Sequence, residues 1–348
     1  MSAFARLRHG VPFLILSFVV ALSARQSGPP RPAAPVSATT GILDALRSHQ
    51  LVALGDAHGN EQVHAVRLAL IRDPRFAAVV NDIVVEFGSA RYQERLDRFM
   101  RGDNVPDDQL REVWQNTTAW DIGWDRPIYE DFFRAVRAAN ASLPVDRKLR
   151  VLLGDPAIDW DAVHGRDDLM KWLDMRDRHA AEVIQREVLA KGRRALIVYG
   201  SGHLPRIDPS ALVGLLEHNT TTRVFTIWTN TDTDLKPFQA GVDAWSAPSL
   251  SVIAGTALGA APFISFFPVR PDRVTDQLRA LRMEDEFEAI LYLGPPSSMT
   301  TAPLPPARCL DSGYMDMRMR RMSIFPGPPG APSPVEQLKR YCAAQASK

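Results

Sequence analysis

Four side chains able to move protons or bind metals stand at the ends of short apolar runs: Asp56, His58, Glu86 and His203. Asp56 and His58 lie in Leu54-Gly55-Asp56-Ala57-His58-Gly59-Asn60. Glu86 follows Ile83-Val84-Val85, and His203 follows Gly200-Ser201-Gly202. Hydrolysis at neutral pH needs water activated by a base near pKa 7 or by a metal. Histidine supplies the first. Carboxylate and imidazole ligands together supply the second, and an oxygen-rich set also suits Mn or Fe. All four residues are therefore candidate catalytic groups and, around a divalent metal, candidate ligands. Asp56 and His58 are two apart on a turn, so both can face one point if the chain bends at Gly55 and Gly59. Glycines flanking His58 and His203 permit positive φ and close backbone approach. Glu86 lies in an otherwise apolar run, and a buried carboxylate needs a partner.

Five further residues are candidates for supporting roles. Glu61 reads as a first-turn residue facing a helix dipole, and His64, one turn on, as a surface histidine or a site member. Asp155, before Pro156, reads as a turn residue or a supporting acid. Arg176 and Asp177, upstream of His203, read as a solvated helix face or as an ion pair orienting the site. Asp56 has its own alternative, the N-cap of the helix that follows. His164, His179 and His218 read as structural or solvated.

The elements that must position these groups follow from periodicity. Residues 51–54, 83–87, 149–153 and 195–199 are β-branched or leucine-rich and each run stops at a glycine. They fit strands buried on both faces of a parallel sheet, with 223–228 a fifth. Helical spacing marks 61–71, 90–100, 107–114, 128–139 and 168–190. The alternation predicts an α/β fold: an open, mostly parallel sheet with crossover helices and a helical insert after the second strand, lying at one end or as a cap. Ligands bind outside the carboxyl ends of such strands, which is where the chemical residues fall. Residues 250–253, 263–267 and 289–293 are expected as later strands, and 295–306 and 326–334 as proline-rich loops.

The N-terminus has the order of a secretory signal peptide over 1–24: Arg6 and Arg8, an apolar run over 11–22, then small residues. That run is shorter than the ~20 residues of a membrane span, so a retained N-terminal segment is the only membrane contact expected. A Pro/Ala-rich linker over 25–40, an α/β domain over 41–294 and a Pro-rich tail over 295–348 complete the expected organisation. Secretion or a periplasmic location favours a disulfide between Cys309 and Cys342, the only two cysteines. A net charge of +1 gives no basic excess for nucleic acid, so a small-molecule or peptide substrate is the expected partner. The three Asn-x-Ser/Thr matches, at Asn116, Asn140 and Asn219, read as chance.

Two families resemble parts of this pattern. Gly55-Asp56-Ala57-His58-Gly59 resembles the opening motif of calcineurin-like metallophosphoesterases, and Gly154-Asp155 their second Gly-Asp motif. The Asn-His dipeptide and the late Gly-His-x-His of that family are absent. The whole set is more similar to the superfamily joining erythromycin esterases, ChaN-like haem-binding proteins and TIKI (TraB) proteases. Its strand ending in Gly-acid-x(-x)-His matches Gly55-Asp56-Ala57-His58, and its strand ending in Glu matches Val84-Val85-Glu86. Its Arg-Asp helix matches Arg176-Asp177, and its Gly-x-Gly-His strand end matches Gly200-Ser201-Gly202-His203.

The resemblance spans roughly residues 41–230, and the segment bearing Trp120, Trp124 and Tyr129 resembles the aromatic insert of the ChaN-like branch. It implies a hydrolase of ester or amide bonds in which His58, assisted by Asp56 and Glu86, activates water or holds a metal. His203 would be a second ligand or would polarise the substrate. The ChaN-like branch implies instead a protein that binds haem or iron outside the cytoplasm without turnover. With no Cys-x-x-Cys-His attachment motif, haem would be held noncovalently. The sequence departs from the pattern in carrying Asp56 where these families more often carry Glu. It also lacks the second histidine near His203 that erythromycin esterases have.

Overall fold

Uncharged runs of valine, leucine and isoleucine are stable as strands only where both faces of the sheet are covered, and these runs form the centre of the molecule. The computed structural model describes residues 29–267, 269–328 and 330–346, so the expected signal peptide lies outside the described residues. Eight strands make one sheet: β1 (Val36–Ser37), β2 (Leu51–Asp56), β3 (Asp82–Ser89), β4 (Arg150–Asp155), β5 (Ala195–Gly200), β6 (Val224–Asn230), β7 (Ser249–Val252) and β8 (Ala289–Tyr292). Their order is β1-β7-β8-β6-β2-β5-β3-β4. Pairing is parallel from β8 to β4, and β7 is antiparallel to both β8 and β1. The mixed α/β architecture and mostly parallel open sheet are those expected from the sequence.

Successive strand residues point to opposite faces, and the core divides accordingly. Val52, Leu54, Ile83, Val85, Phe87, Val151 and Leu153 face one layer, with helices Ala38–Ser48, Glu61–Arg72 and Pro127–Ala141. Leu51, Ala53, Val84, Leu152, Ile197 and Tyr199 face the other, with helices Arg176–Glu187 and Leu212–Asn219. The insert between β3 and β4 covers the first face of the sheet rather than an end. Leu96, Leu110, Val113, Phe132 and Phe133 give its helices an apolar stripe that the sheet can bury.

Three local expectations fail. The helix expected over 168–190 is two helices, Arg166–Leu173 and Arg176–Glu187, joined at Asp174 and Met175. The expected strand at 263–267 is a 3₁₀ turn, Phe263–Ser265, whose aromatic rings pack below β6 and β8. The tail is not only proline-rich loop: it holds helices Pro306–Leu310, Ser312–Met322 and Pro334–Ala346. Two of these start at proline, which is preorganised for a first helical position. A Cys309–Cys342 disulfide ties the first to the last. No helix among the described residues is long and apolar enough to cross a membrane.

Candidate functional site

Glu86 is the centre of the site. It lies in β3 where the register against β4 shifts between Val85 and Ser89, and it is 1% exposed. Both carboxylate oxygens are engaged. Oε1 accepts from Arg176 Nη2 at 2.6 Å and lies 3.4 Å from His203 Nε2. Oε2 accepts from the Gly200 backbone N–H at 2.7 Å and lies 3.2 Å from His58 Nε2. A Cβ on Gly200 would come within 2.9 Å of His58 Nε2, so only glycine lets that strand end approach so closely. Gly59, with φ +81°, takes the turn that follows His58.

His203 is held from its other side. Its Nδ1 lies 2.5 Å from Asp177 Oδ1, so a carboxylate stands at each ring nitrogen. Burial opposes charging this imidazole, yet Glu86 and Asp177 together push its pKa up to about 10. Burial also opposes the His58 charge, but Glu86 and then Asp56 leave its pKa raised. For Glu86, desolvation is outweighed by His203 and His58, and the carboxyl stays well below its ordinary range. The result is an anionic centre between two imidazole rings and a guanidinium. Of the two histidines His58 is the more open, with 44% of its side chain exposed against 21% for His203. Trp124 meets the His58 ring edge-on, centroids 4.4 Å apart.

The structure therefore brings together His58, Glu86, His203, Arg176 and Asp177. Arg176 and Asp177 are turned inward rather than forming a solvated face, because the helix they begin runs over the same sheet face that Glu86 points to.

Asp56 is not part of that cluster. It has the parity of Val52 and Leu54, so it points to the opposite sheet face from Glu86. There it forms a buried ion pair with Arg67 Nη1 at 2.5 Å. Nor does it cap the following helix: Asn60 Oδ1 accepts from Val63 N–H instead, at 2.8 Å.

Asp155, fully buried, accepts from Thr118 N–H at 2.7 Å and from its hydroxyl at 2.6 Å. It lies 3.5 Å from Arg176 Nε. Desolvation, opposed by Arg176 and Thr118, raises its pKa to about 7. His64 is buried, 4.0 Å from Asp131, rather than at the surface or against Glu86. Burial, aided by Arg67 and Arg72, lowers its pKa to about 4. Glu61 is exposed in the first helical turn, where it accepts from the Thr300 hydroxyl at 2.6 Å.

Sequence reasoning missed the groups that fix the His58 loop. Tyr129 OH accepts from Gly59 N–H at 2.8 Å. Residues from the tail clasp the same loop: Ala302 N–H donates to Gly59 O at 2.9 Å, Glu61 N–H donates to Thr300 O at 3.0 Å, and Arg126 Nη1 bonds Ala302 O. Arg67 was detectable in principle, since it shares the apolar helix face of Val63, Leu70 and Ile71. The tail contacts carry no local signal.

The four-ligand metal set expected from the sequence is not assembled, because Asp56 is turned to Arg67. Among the described residues no group of three or more His, Cys, Asp or Glu side chains is arranged to hold a metal ion.

No curated protein sequence matches the chain. Three solved structures are similar to part of the chain at low identity. The type III effector HopBA1 is 13% identical, with a TM-score of 0.39 over 59% of this chain and 89% of its own. The structure described as cofacial heme binding to ChaN of Campylobacter jejuni is 14% identical, with a TM-score of 0.36 over 58% and 89%. A Bacillus cereus protein is 11% identical, with a TM-score of 0.47 over 76% and 95%. Residues 42–145 match the family described as haem-binding uptake, Tiki superfamily, ChaN, so this part of the chain is similar to that family.

Proposed function

We propose that the protein binds haem noncovalently outside the cytoplasm. The observation that carries this reading is the match of residues 42–145 to the haem-binding uptake family, because that segment supplies His58, Glu86, Trp124 and Tyr129. The donor chemistry fits. Imidazole is a common axial ligand of haem iron, and His58 is half-open beside an indole that offers an apolar wall. His203 is a poorer donor, since both its ring nitrogens already face carboxylates. Bound haem would supply an iron centre whose chemistry is the cofactor's own. This chain's part is to present a neutral imidazole at His58, which must first give up the proton favoured by Glu86. Haem affinity should therefore rise with pH through the His58 titration. Adding haemin to the purified protein should produce a Soret band that His58→Ala loses. A featureless spectrum with the wild type would sink the reading.

The Asp177–His203–Glu86 arrangement favours a second reading, hydrolysis of an ester or amide. Charged at neutral pH, His203 would polarise a carbonyl rather than act as base, leaving His58 to handle the water proton. If so, His58→Ala and His203→Ala should each cost about 10²-fold or more in turnover of general ester or peptide substrates. Unchanged turnover in both variants would remove this alternative.

A further inference from the structure

A cavity of about 400 Å³ lies between the aromatic insert and the C-terminal helices, apart from the Glu86 cluster. Trp120 and Ile122 form one wall, and Leu304, Leu338 and Tyr341 the other. That volume and apolar lining are those of a small-molecule site, in which a few polar groups fix orientation. The cation on the wall is Arg126. Its Nη1 bonds the carbonyl of Ala302, and no carboxylate lies within ion-pair distance of it among the described residues. Asp121, on the same wall, is occupied in its own turn, where Oδ1 accepts from Gly123 N–H at 2.9 Å.

We propose that this cavity binds a monocarboxylate with an apolar body, of the kind of a medium-chain fatty acid. The chain or ring would lie among Trp120, Ile122, Leu304 and Leu338, with the carboxylate on the Arg126 guanidinium. Planar guanidinium matches a carboxylate through two parallel hydrogen bonds, which an alcohol cannot reproduce. The site is distinct from the proposed haem site in its lining: none of His58, Glu86, Trp124 and His203 borders the cavity, although Trp120, Ile122 and Arg126 belong to the matched segment. The two are nevertheless in contact. A Cβ on Gly59, next to His58, would come within 2.8 Å of Arg126 Cδ and Nε, so a carboxylate held by Arg126 would sit against the loop that carries His58.

Titration calorimetry of the full chain with decanoate and with decanol tests this without any substitution. Decanoate should bind at one site, at least about tenfold more tightly than decanol, a difference of about 1.4 kcal/mol. Arg126→Gln should bring decanoate to the level of decanol, and Leu338→Trp, which fills the cavity, should abolish both. The absence of decanoate binding to the wild type, or equal affinity for decanoate and decanol, would overturn the proposal. So would unchanged decanoate affinity in Arg126→Gln. None of these measurements uses haem, so failure here and failure of the haem reading are separable.

Discussion

Replacing Glu86 by Gln should destabilise the protein by about 3–5 kcal/mol in urea unfolding at pH 7, the usual cost of removing one partner of a buried ionic cluster. The substitution preserves shape and leaves one oxygen to accept a hydrogen bond. It removes the carboxylate that faces Arg176, His58 and His203 together. Arg176 would keep only the longer approach to Asp155. A loss below about 1 kcal/mol, the scale of an exposed ion pair, would show that the cluster contributes little.

The pH dependence has a definite sign. His203 titrates near 6.5 when unfolded and at about 10 when folded. Its contribution is therefore complete below about pH 6.5 and is lost as pH rises through 10. Glu86 acts oppositely: its folded pKa is depressed, so its contribution is present above its unfolded value of about 4.3 and is lost as pH falls through the folded one. Wild-type stability should decline between pH 6.5 and 10, and His203→Asn should flatten that decline. A wild-type curve already flat across the window would contradict the arrangement of Glu86, His203 and Asp177.

The parts of this site that were legible in the sequence share one cause. A run such as Ile83-Val84-Val85 is apolar on both faces, so its strand can be placed without knowing its neighbours, and a carboxylate within it must find partners. Asp56 looked equivalent to Glu86 because both follow such runs. They differ in which sheet face each meets, and that depends on the covering helix: Arg67 waits on one side and Arg176 on the other. The break near Asp174 was illegible because neither glycine nor proline marks it. The tail helices were hidden by the opposite error. Pro306 and Pro334 carry the sequence signal of a loop, although proline also opens helices. The clasp of the His58 loop by Thr300 and Ala302 joins residues far apart in the chain and follows only from the folded arrangement.

The tail that supplies this clasp is itself fastened by a further buried ion pair, and breaking it should be as costly as losing Glu86. Asp125 and Arg318 are 0% and 1% exposed. The guanidinium grips the carboxylate in two parallel bonds, Nε to Oδ2 at 2.6 Å and Nη2 to Oδ1 at 2.5 Å, and Tyr314 OH donates to Oδ2 at 2.5 Å. Arg318 Nη2 also donates to Gln115 O at 3.0 Å, so one side chain fastens the tail to both ends of the aromatic segment. Arg318→Met leaves a buried carboxylate with only the tyrosine, and Asp125→Leu leaves a buried guanidinium with carbonyls alone. Each single substitution should cost about 3–5 kcal/mol. The double variant should cost clearly less than their sum, since no uncompensated charge remains, and the coupling should fall in the upper part of the roughly 0.5–3 kcal/mol range for residues in contact. Urea unfolding of the four proteins at pH 7 measures it. Additive losses would mean that each side chain acts through its other bonds, and that the pair does not join the tail to the insert.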